Sequence, residues 1–266
     1  MIAASHQRPT AMLESIRHDA ILELRLSRPP VNALNPELVR RLRKAVEDAD
    51  ADGARGIVLS GRPGMFSAGL DVPELLQLDR AALVAFWQDF FGLCAALASS
   101  PIPVVAAIGG HSPAGGAVLS IFCDYRVMAR SVDPAKPFRI GLNEVQVGLS
   151  IPEVIQCALR RLVGTYRAER MMVAGQMLEP EQALKIGLVD ELAAVEDVQP
   201  HALEWLRGLL ALPPQAMAAT RGLARLDLIQ LFADPTRLSV EEFADAWFGA
   251  ETQTTLKALV AQLKSK

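Results

Sequence analysis

No block of lysine and arginine stands out in this 266-residue chain, whose 27 basic and 30 acidic residues leave a formal charge of −3. Nucleic-acid binders concentrate basic charge on one surface, so the balance argues against nucleic acid as a main partner. Cysteine is scarce. Cys94, Cys123 and Cys157 each sit among apolar neighbours, and none belongs to a C-x-x-C pair. An odd number of isolated thiols points to free, buried cysteines in a reducing compartment. The four histidines (His6, His18, His111, His201) are scattered without metal-ligand spacing, which argues against a metal site. The first residues, MIAASHQRPTAM, hold one Arg and no apolar core of signal-peptide length. No apolar run is read as approaching membrane-spanning length. The expectation is a cytoplasmic protein with no membrane segment.

What is present is apolar patterning, with half of the residues hydrophobic. Residues 1–11 read as a flexible tail. ILELRLSR alternates, Leu22, Leu24 and Leu26 on one face and Glu23 and Arg25 on the other, as in a half-buried strand. LESIR before it, joined through His18-Asp19-Ala20, makes a hairpin. In NPELVRRLRKAVEDAD, Asn35 caps a helix with Pro36 at its first position. RGIVLSG, PIPVVAAIGG and DYRVMAR read as strands, and RAALVAFWQDFFGLCAALASS as a long, mostly buried helix. Helical patterns follow in IPEVIQCALRRLVG, TYRAERMMVAG (Thr165 as cap) and EPEQALKIGLV, and continue past residue 198 to the end. This order implies an α/β core over residues 12–197 and a helical segment over 198–266.

The stretch GGHSPAGG resembles two motifs that its own chemistry rejects. Gly110-His111-Ser112-Pro113-Ala114 is one residue from a G-x-S-x-G elbow. There the residue after the serine supplies an oxyanion N–H, and Pro113 has none. A phosphate loop would need a following Lys-Ser/Thr, which is missing. A strand ending at Ile108 and a helix starting near Gly115 still leave backbone N–H groups without partners. Such groups favour an anion, and Gly115 and Gly116 let a ligand oxygen come close.

Two other segments share this functional character. MFSAGLD (Met65–Asp71) is a loop of small residues before a helix at Pro73, which Asp71 can cap. In RIGLNEVQVGL, Glu144 stands among Leu142, Val145 and Val147. A carboxylate in a partly apolar pocket has a raised pKa, suited to a base working near neutrality. Phe86, Phe90, Phe91, Met171 and Met172, at helical spacing, read as core.

Four segments in order resemble the enoyl-CoA hydratase/isomerase (crotonase) superfamily: FSAGLD (Phe66–Asp71), PVVAAIGG with AGGAVLSIFCD (Pro103–Asp124), GLNEVQVGL (Gly141–Leu149) and ALKIGLVDEL (Ala183–Leu192). The likeness covers about Leu13 to Lys264. It implies a spiral of ββα units with a C-terminal helical segment that helps form trimers or dimers of trimers. It also implies an acyl-CoA thioester substrate with no metal or redox cofactor, coenzyme A arriving as part of the substrate. The enolate-holding N–H groups fall on Leu70 and Gly115. The segment near Ala33 and the loop residues Ser67, Ala68, Gly69 and Asp71 line the coenzyme A side. His111 lies close by and reads as a hydrogen-bonded structural histidine.

Hydratases of the family place two glutamates over the substrate. The second aligns with Glu144 and the first with Val118, which has no acid–base chemistry. One base suffices for a 1,3-proton shift, and the finer match is to mitochondrial-type Δ3,Δ2-enoyl-CoA isomerases. The connection ARSVDPAKPFR is a few residues longer than is usual there. Alternatives of other kinds are another acyl-CoA reaction of the family (hydration or decarboxylation) and a non-catalytic acyl-CoA binder.

Overall fold

The structure is a computed structural model that describes residues 12–234 and 237–264. The expected tail over residues 1–11 lies outside the described residues. The strands are β1 (Leu13–His18), β2 (Ile21–Leu26), β3 (Gly56–Ser60), β4 (Gly64–Met65), β5 (Val104–Ile108), β6 (Gly110–Pro113), β7 (Tyr125–Ala129), β8 (Ile140–Gly141) and β9 (Glu191–Ala193). The helices of the first two thirds are α1 (Pro36–Asp48), α2 (Val72–Leu75), α3 (Arg80–Ser99), α4 (Gly115–Ile121), α5 (Glu153–Val163), α6 (Thr165–Val173) and α7 (Pro180–Lys185). Then come α8 (Val198–Leu210), α9 (Pro214–Ala224), α10 (Leu226–Ala233), α11 (Val240–Trp247) and α12 (Ala250–Lys264).

The main sheet has the order β1-β2-β3-β5-β7-β9. The β1–β2 hairpin is antiparallel and every other pairing is parallel, with Leu24 beside Leu59, Leu59 beside Ala106 and Ala106 beside Arg126. The hairpin turns at Asp19-Ala20, as expected, with Asp19 at φ 55°. Asn35 caps α1 by accepting from Leu38 N–H at 3.0 Å.

β2 departs from the expected half-buried strand. Glu23 is fully buried, because α8 covers this face of the sheet. Burial raises its pKa, but hydrogen bonds from Ser60, His18 and Gln199 and the Arg25 charge outweigh that and hold it below the ordinary value. Paired in this way, a buried carboxylate is tolerated. A second correction concerns length: α3, with 20 residues, is long and apolar enough by composition to cross a membrane. Here Leu83, Phe86, Trp87, Phe90, Leu93 and Leu97 pack it into the core. Thr165 is the first residue of α6, and Gly164 holds the cap position.

A second, small parallel sheet has the order β4-β6-β8. Gly110–Pro113, from the GGHSPAGG stretch, is its middle strand. A Cβ on Gly110 would lie 2.0 Å from the Gly64 carbonyl carbon, so only glycine lets β4 and β6 meet here. The C-terminal helices are tied back through Asp124. Its carboxylate accepts from Arg221 at 2.8 Å and from Arg225 at 3.0 Å, and Arg225 also donates to Phe122 O at 2.6 Å. The last helix reaches the Glu144 segment, where the Thr252 hydroxyl donates to Gly148 O at 2.6 Å.

Candidate active site

The loop after β4 and the loop after β6 meet back to back. In the first, Ser67 is buried, donating to Asn32 O at 2.8 Å and accepting from Gly69 N–H at 3.1 Å. Ala68 N–H donates to Val31 O, Leu34 N–H to Gly69 O and Asp71 N–H to Leu34 O, at 2.8 to 3.0 Å. Each N–H from Ala68 to Asp71 is therefore used except that of Leu70, which has no acceptor among the described residues. Gly69 sits at φ +84°, a region that favours glycine.

In the second loop, Ala114 donates to Gly141 O at 2.8 Å and adopts φ 45°, ψ −120°. A non-glycine residue at such angles is strained, and strain of this kind persists where surrounding structure enforces it. It turns the chain directly into α4, whose first N–H, that of Gly115, also lacks an acceptor among the described residues. A Cβ on Gly115 would lie 3.6 Å from the Gly69 carbonyl carbon, the atom that carries the Leu70 nitrogen. The two unpaired N–H groups thus come from loops in direct contact.

Asp71 caps α2, accepting from Glu74 N–H at 3.0 Å, and pairs with Arg28 at 2.6 Å. His111 accepts from Arg139 N–H at its Nδ1 (3.2 Å), and its ring lies edge-on to Phe138 at 5.2 Å. Burial first, and the Arg139 charge second, push its pKa down. At neutral pH it is an uncharged ring with the proton on Nε2, as befits a structural histidine. Ser112 is fully buried, at odds with a nucleophile.

Glu144 opens a single 3-10 turn, Glu144–Val147, closed by Gly148 at φ +75°. Its Oε2 is buried and has no partner among the described residues. Burial raises its pKa to about 7, with only its own backbone N–H pulling the other way. No neighbouring charge contributes, so this carboxyl faces neither a cation nor a second carboxylate.

A cavity of about 540 Å³ joins these parts, with Leu70, Gly115, Val118 and Glu144 in its wall. Ala33, Ala68 and Asp71 line it as the sequence implied, but Ser67 and Gly69 do not; they hold the loop from behind. Phe90 and Phe91, read from sequence as core, also line it, with Trp87 beside them. Trp87 meets Phe243 of α11 edge to face at 4.6 Å. Phe243, Leu259 and Leu263, from the last two helices, close the apolar wall. Arg28, Trp87, Asn143 and these three residues were missed by sequence reasoning. Helical periodicity cannot say that Trp87 and Phe243, more than 150 residues apart, meet.

The sequence pattern of the enoyl-CoA hydratase/isomerase family matches residues 17–229. The chain belongs to that family. It is 31% identical over 245 residues to the human "Enoyl-CoA delta isomerase 1, mitochondrial", covering 91% of this chain and 80% of that protein. It is also 31% identical over 227 residues to "Probable enoyl-CoA hydratase echA17" of Mycolicibacterium paratuberculosis, covering 85% of each. Among solved structures, human mitochondrial delta3-delta2-enoyl-CoA isomerase superposes with a TM-score of 0.88 at 30% identity, over 96% of this chain and 99% of that one. As a family member the chain has the crotonase fold, with a six-stranded sheet, a small three-stranded sheet and helices at the C-terminus. Within this enoyl-CoA hydratase/isomerase, Arg28 and Asp71 are paired with each other. Glu144 is the one cavity carboxylate without an ion-pair partner among the described residues.

Proposed function

We propose that this enzyme is a Δ3,Δ2-enoyl-CoA isomerase. The observation that carries the reading is the solitary Glu144 carboxyl, with its pKa near 7, in a cavity where Val118 supplies only hydrocarbon. The thioester oxygen of a 3-enoyl-CoA sits against the N–H groups of Leu70 and Gly115. Ionised Glu144 takes a proton from C2, and the electron pair delocalises over C4, C3, C2 and the thioester oxygen. The same carboxyl returns a proton to C4, so the double bond moves from C3–C4 to C2–C3. A pKa near the working pH suits a group that must both take and give the proton. The two N–H groups are fixed before charge develops, and removal of one such donor typically costs about 3 kcal/mol of transition-state stabilisation. The apolar wall from Trp87 to Leu263 takes the acyl chain. These steps balance without a metal or redox cofactor, coenzyme A being part of the substrate.

The relatives' names include both isomerases and hydratases, and one experiment separates the two activities. Purified protein receives a 3-enoyl-CoA and a 2-enoyl-CoA in separate assays. Conversion of the first without hydration of the second supports the reading; efficient hydration of the second overturns it.

The reading extends to a homotrimer or a dimer of trimers. The helix α9 has no buried residue, and Leu212, Leu223 and Leu226 around it are exposed, which is costly for a monomer. Sedimentation analysis at micromolar protein tests this, and a monomer refutes it. The free Cys94 and Cys123 thiols, buried and with pKa values raised by desolvation, fit the proposed cytoplasmic setting.

A further inference from the structure

Two buried oxygens in the cavity wall have no hydrogen-bond donor among the described residues: Asn143 Oδ1 and Glu144 Oε2. They belong to consecutive residues that both line the cavity. The orientation of the Asn143 amide follows from its neighbours. Gln146 Nε2 donates to Gly175 O at 2.9 Å, which leaves Gln146 Oε1 as an acceptor facing Asn143 Nδ2 at 3.4 Å. Flipping Asn143 would set oxygen against oxygen, so its own Oδ1 is the end left free.

A buried acceptor without a donor costs about 1–3 kcal/mol, and native proteins carry few of them. Two on consecutive residues of one cavity wall call for a donor from outside the chain. The acyl chain offers only C–H bonds. Water is small, brings two donors, and orders where two or more polar partners converge.

Resting on the isomerase reading, we propose that Asn143 Oδ1 and Glu144 Oε2 together hold one water molecule, which replaces the proton taken from C2 by a solvent proton before Glu144 delivers one to C4. While Glu144 is ionised, the water donates to both oxygens. After C2–H breaks, the carboxyl O–H donates to the water oxygen, and the bond to Asn143 holds the water in place. The water accepts that proton and gives one of its own back to the carboxylate. No net charge moves, and the C4–H bond then forms with a hydrogen of solvent origin. Asn143 is a positioning residue in this scheme: it acts through the water and does not touch the reacting carbons.

The test runs the full-length protein on a 3-enoyl-CoA in D2O. At early conversion, mass spectrometry and NMR count deuterium at C4 per molecule of 2-enoyl product. The wild type is expected to place solvent deuterium at C4 in most turnovers. Asn143→Leu, which fills the same space without an acceptor, lowers that fraction several-fold. Asn143→Ser, which restores an acceptor oxygen, recovers part of it. Counting per product molecule keeps a slowed variant informative, and Glu144→Gln supplies the non-enzymatic background. Wild-type product without C4 label overturns the proposal, as does an unchanged label fraction in Asn143→Leu. Absence of any conversion by the wild type instead overturns the isomerase reading itself, and the proposal with it.

Discussion

Glu144→Gln is expected to raise stability and abolish turnover, with a pH dependence that follows from one carboxyl. In the folded protein this carboxyl has its pKa raised by burial to about 7, against an ordinary 4.5 in the unfolded chain. Between those values the unfolded chain has released its proton and the folded protein still holds it. The unfolded state then binds fewer protons, so stability falls as pH rises through the window and levels off above about 7. At about 1.4 kcal/mol per pH unit, the displacement makes ionised Glu144 destabilising by about 3 kcal/mol at pH 8. Glutamine carries no charge and escapes this loss. Any packing difference it introduces is independent of pH and drops out when the two proteins are compared across the range. Urea unfolding of both proteins, at fixed protein concentration and at intervals from pH 4.5 to pH 8.5, measures the divergence. Over the same range, acyl-CoA binding to Glu144→Gln should survive while turnover falls by about a thousandfold, within the span of general acid–base catalysis. A stability difference that stays flat with pH would refute the claim that Glu144 is buried without a charged partner.

Four further outcomes are expected. The ratio kcat/KM for isomerisation should rise with pH along a single ionisation of midpoint about 7, where the free enzyme's carboxyl becomes the required base; a profile needing two carboxylates would contradict the one-base scheme. Gly69→Ala puts a methyl 3.2 Å from Gly115 N, Pro113 O and Ala114 Cβ at a φ of +84°. Kinetics should show kcat falling by about a hundredfold as the two donors are displaced, and thermal unfolding a loss of about 1–3 kcal/mol; an unchanged kcat would dissociate these N–H groups from the enolate. Val118→Glu places a second carboxylate in the cavity wall and should produce measurable hydration of 2-enoyl-CoA, at a cost in stability, since the site is buried. Asp124→Asn weakens the shared anchor of Arg221 and Arg225, whose side chains are only 12% and 8% exposed. Breaking a buried pair costs about 3–5 kcal/mol, so its urea midpoint should drop sharply.

The parts of the site that sequence exposed are those written in local backbone chemistry. Gly115 and Gly116 are marked by close approach, and Pro113 by its missing N–H. Each is a constraint that a residue imposes on its immediate neighbours. The strand and helix order was legible for the same reason, down to the Asn35 cap and the Asp19-Ala20 turn. Glu144 stood out because a charge among apolar residues is costly wherever the chain goes. Its pKa near 7 follows from that burial alone. Where local pattern was trusted beyond its reach, it erred. The alternation of ILELRL placed Glu23 outside, but α8 arrives from 175 or more residues later and seals that face, with Gln199 donating to the buried carboxylate at 3.0 Å. Gly110–Pro113 lies in a stretch weighed from sequence only for motifs, and its two neighbours in the small sheet make it a strand.

The apolar wall of the cavity marks the boundary of what local pattern can say. Phe90 and Phe91 lie one turn beyond Trp87 on α3, and helical spacing marks these two phenylalanines as buried, as they are. Whether a buried ring faces core or ligand depends on what lies opposite, and here that is Phe243, Leu259 and Leu263 from the far end of the chain. Their placement depends in turn on Asp124 holding Arg221 and Arg225, and on Thr252 reaching Gly148 beside the base. The reaction type is therefore carried by residues within about one helical turn of a motif, whereas the room for the acyl chain is set by long-range packing. Substitutions in α11 and α12 should accordingly shift chain-length preference, and those that open the wall beside Glu144 to water should also lower the pH midpoint of its ionisation, because burial alone raises that pKa.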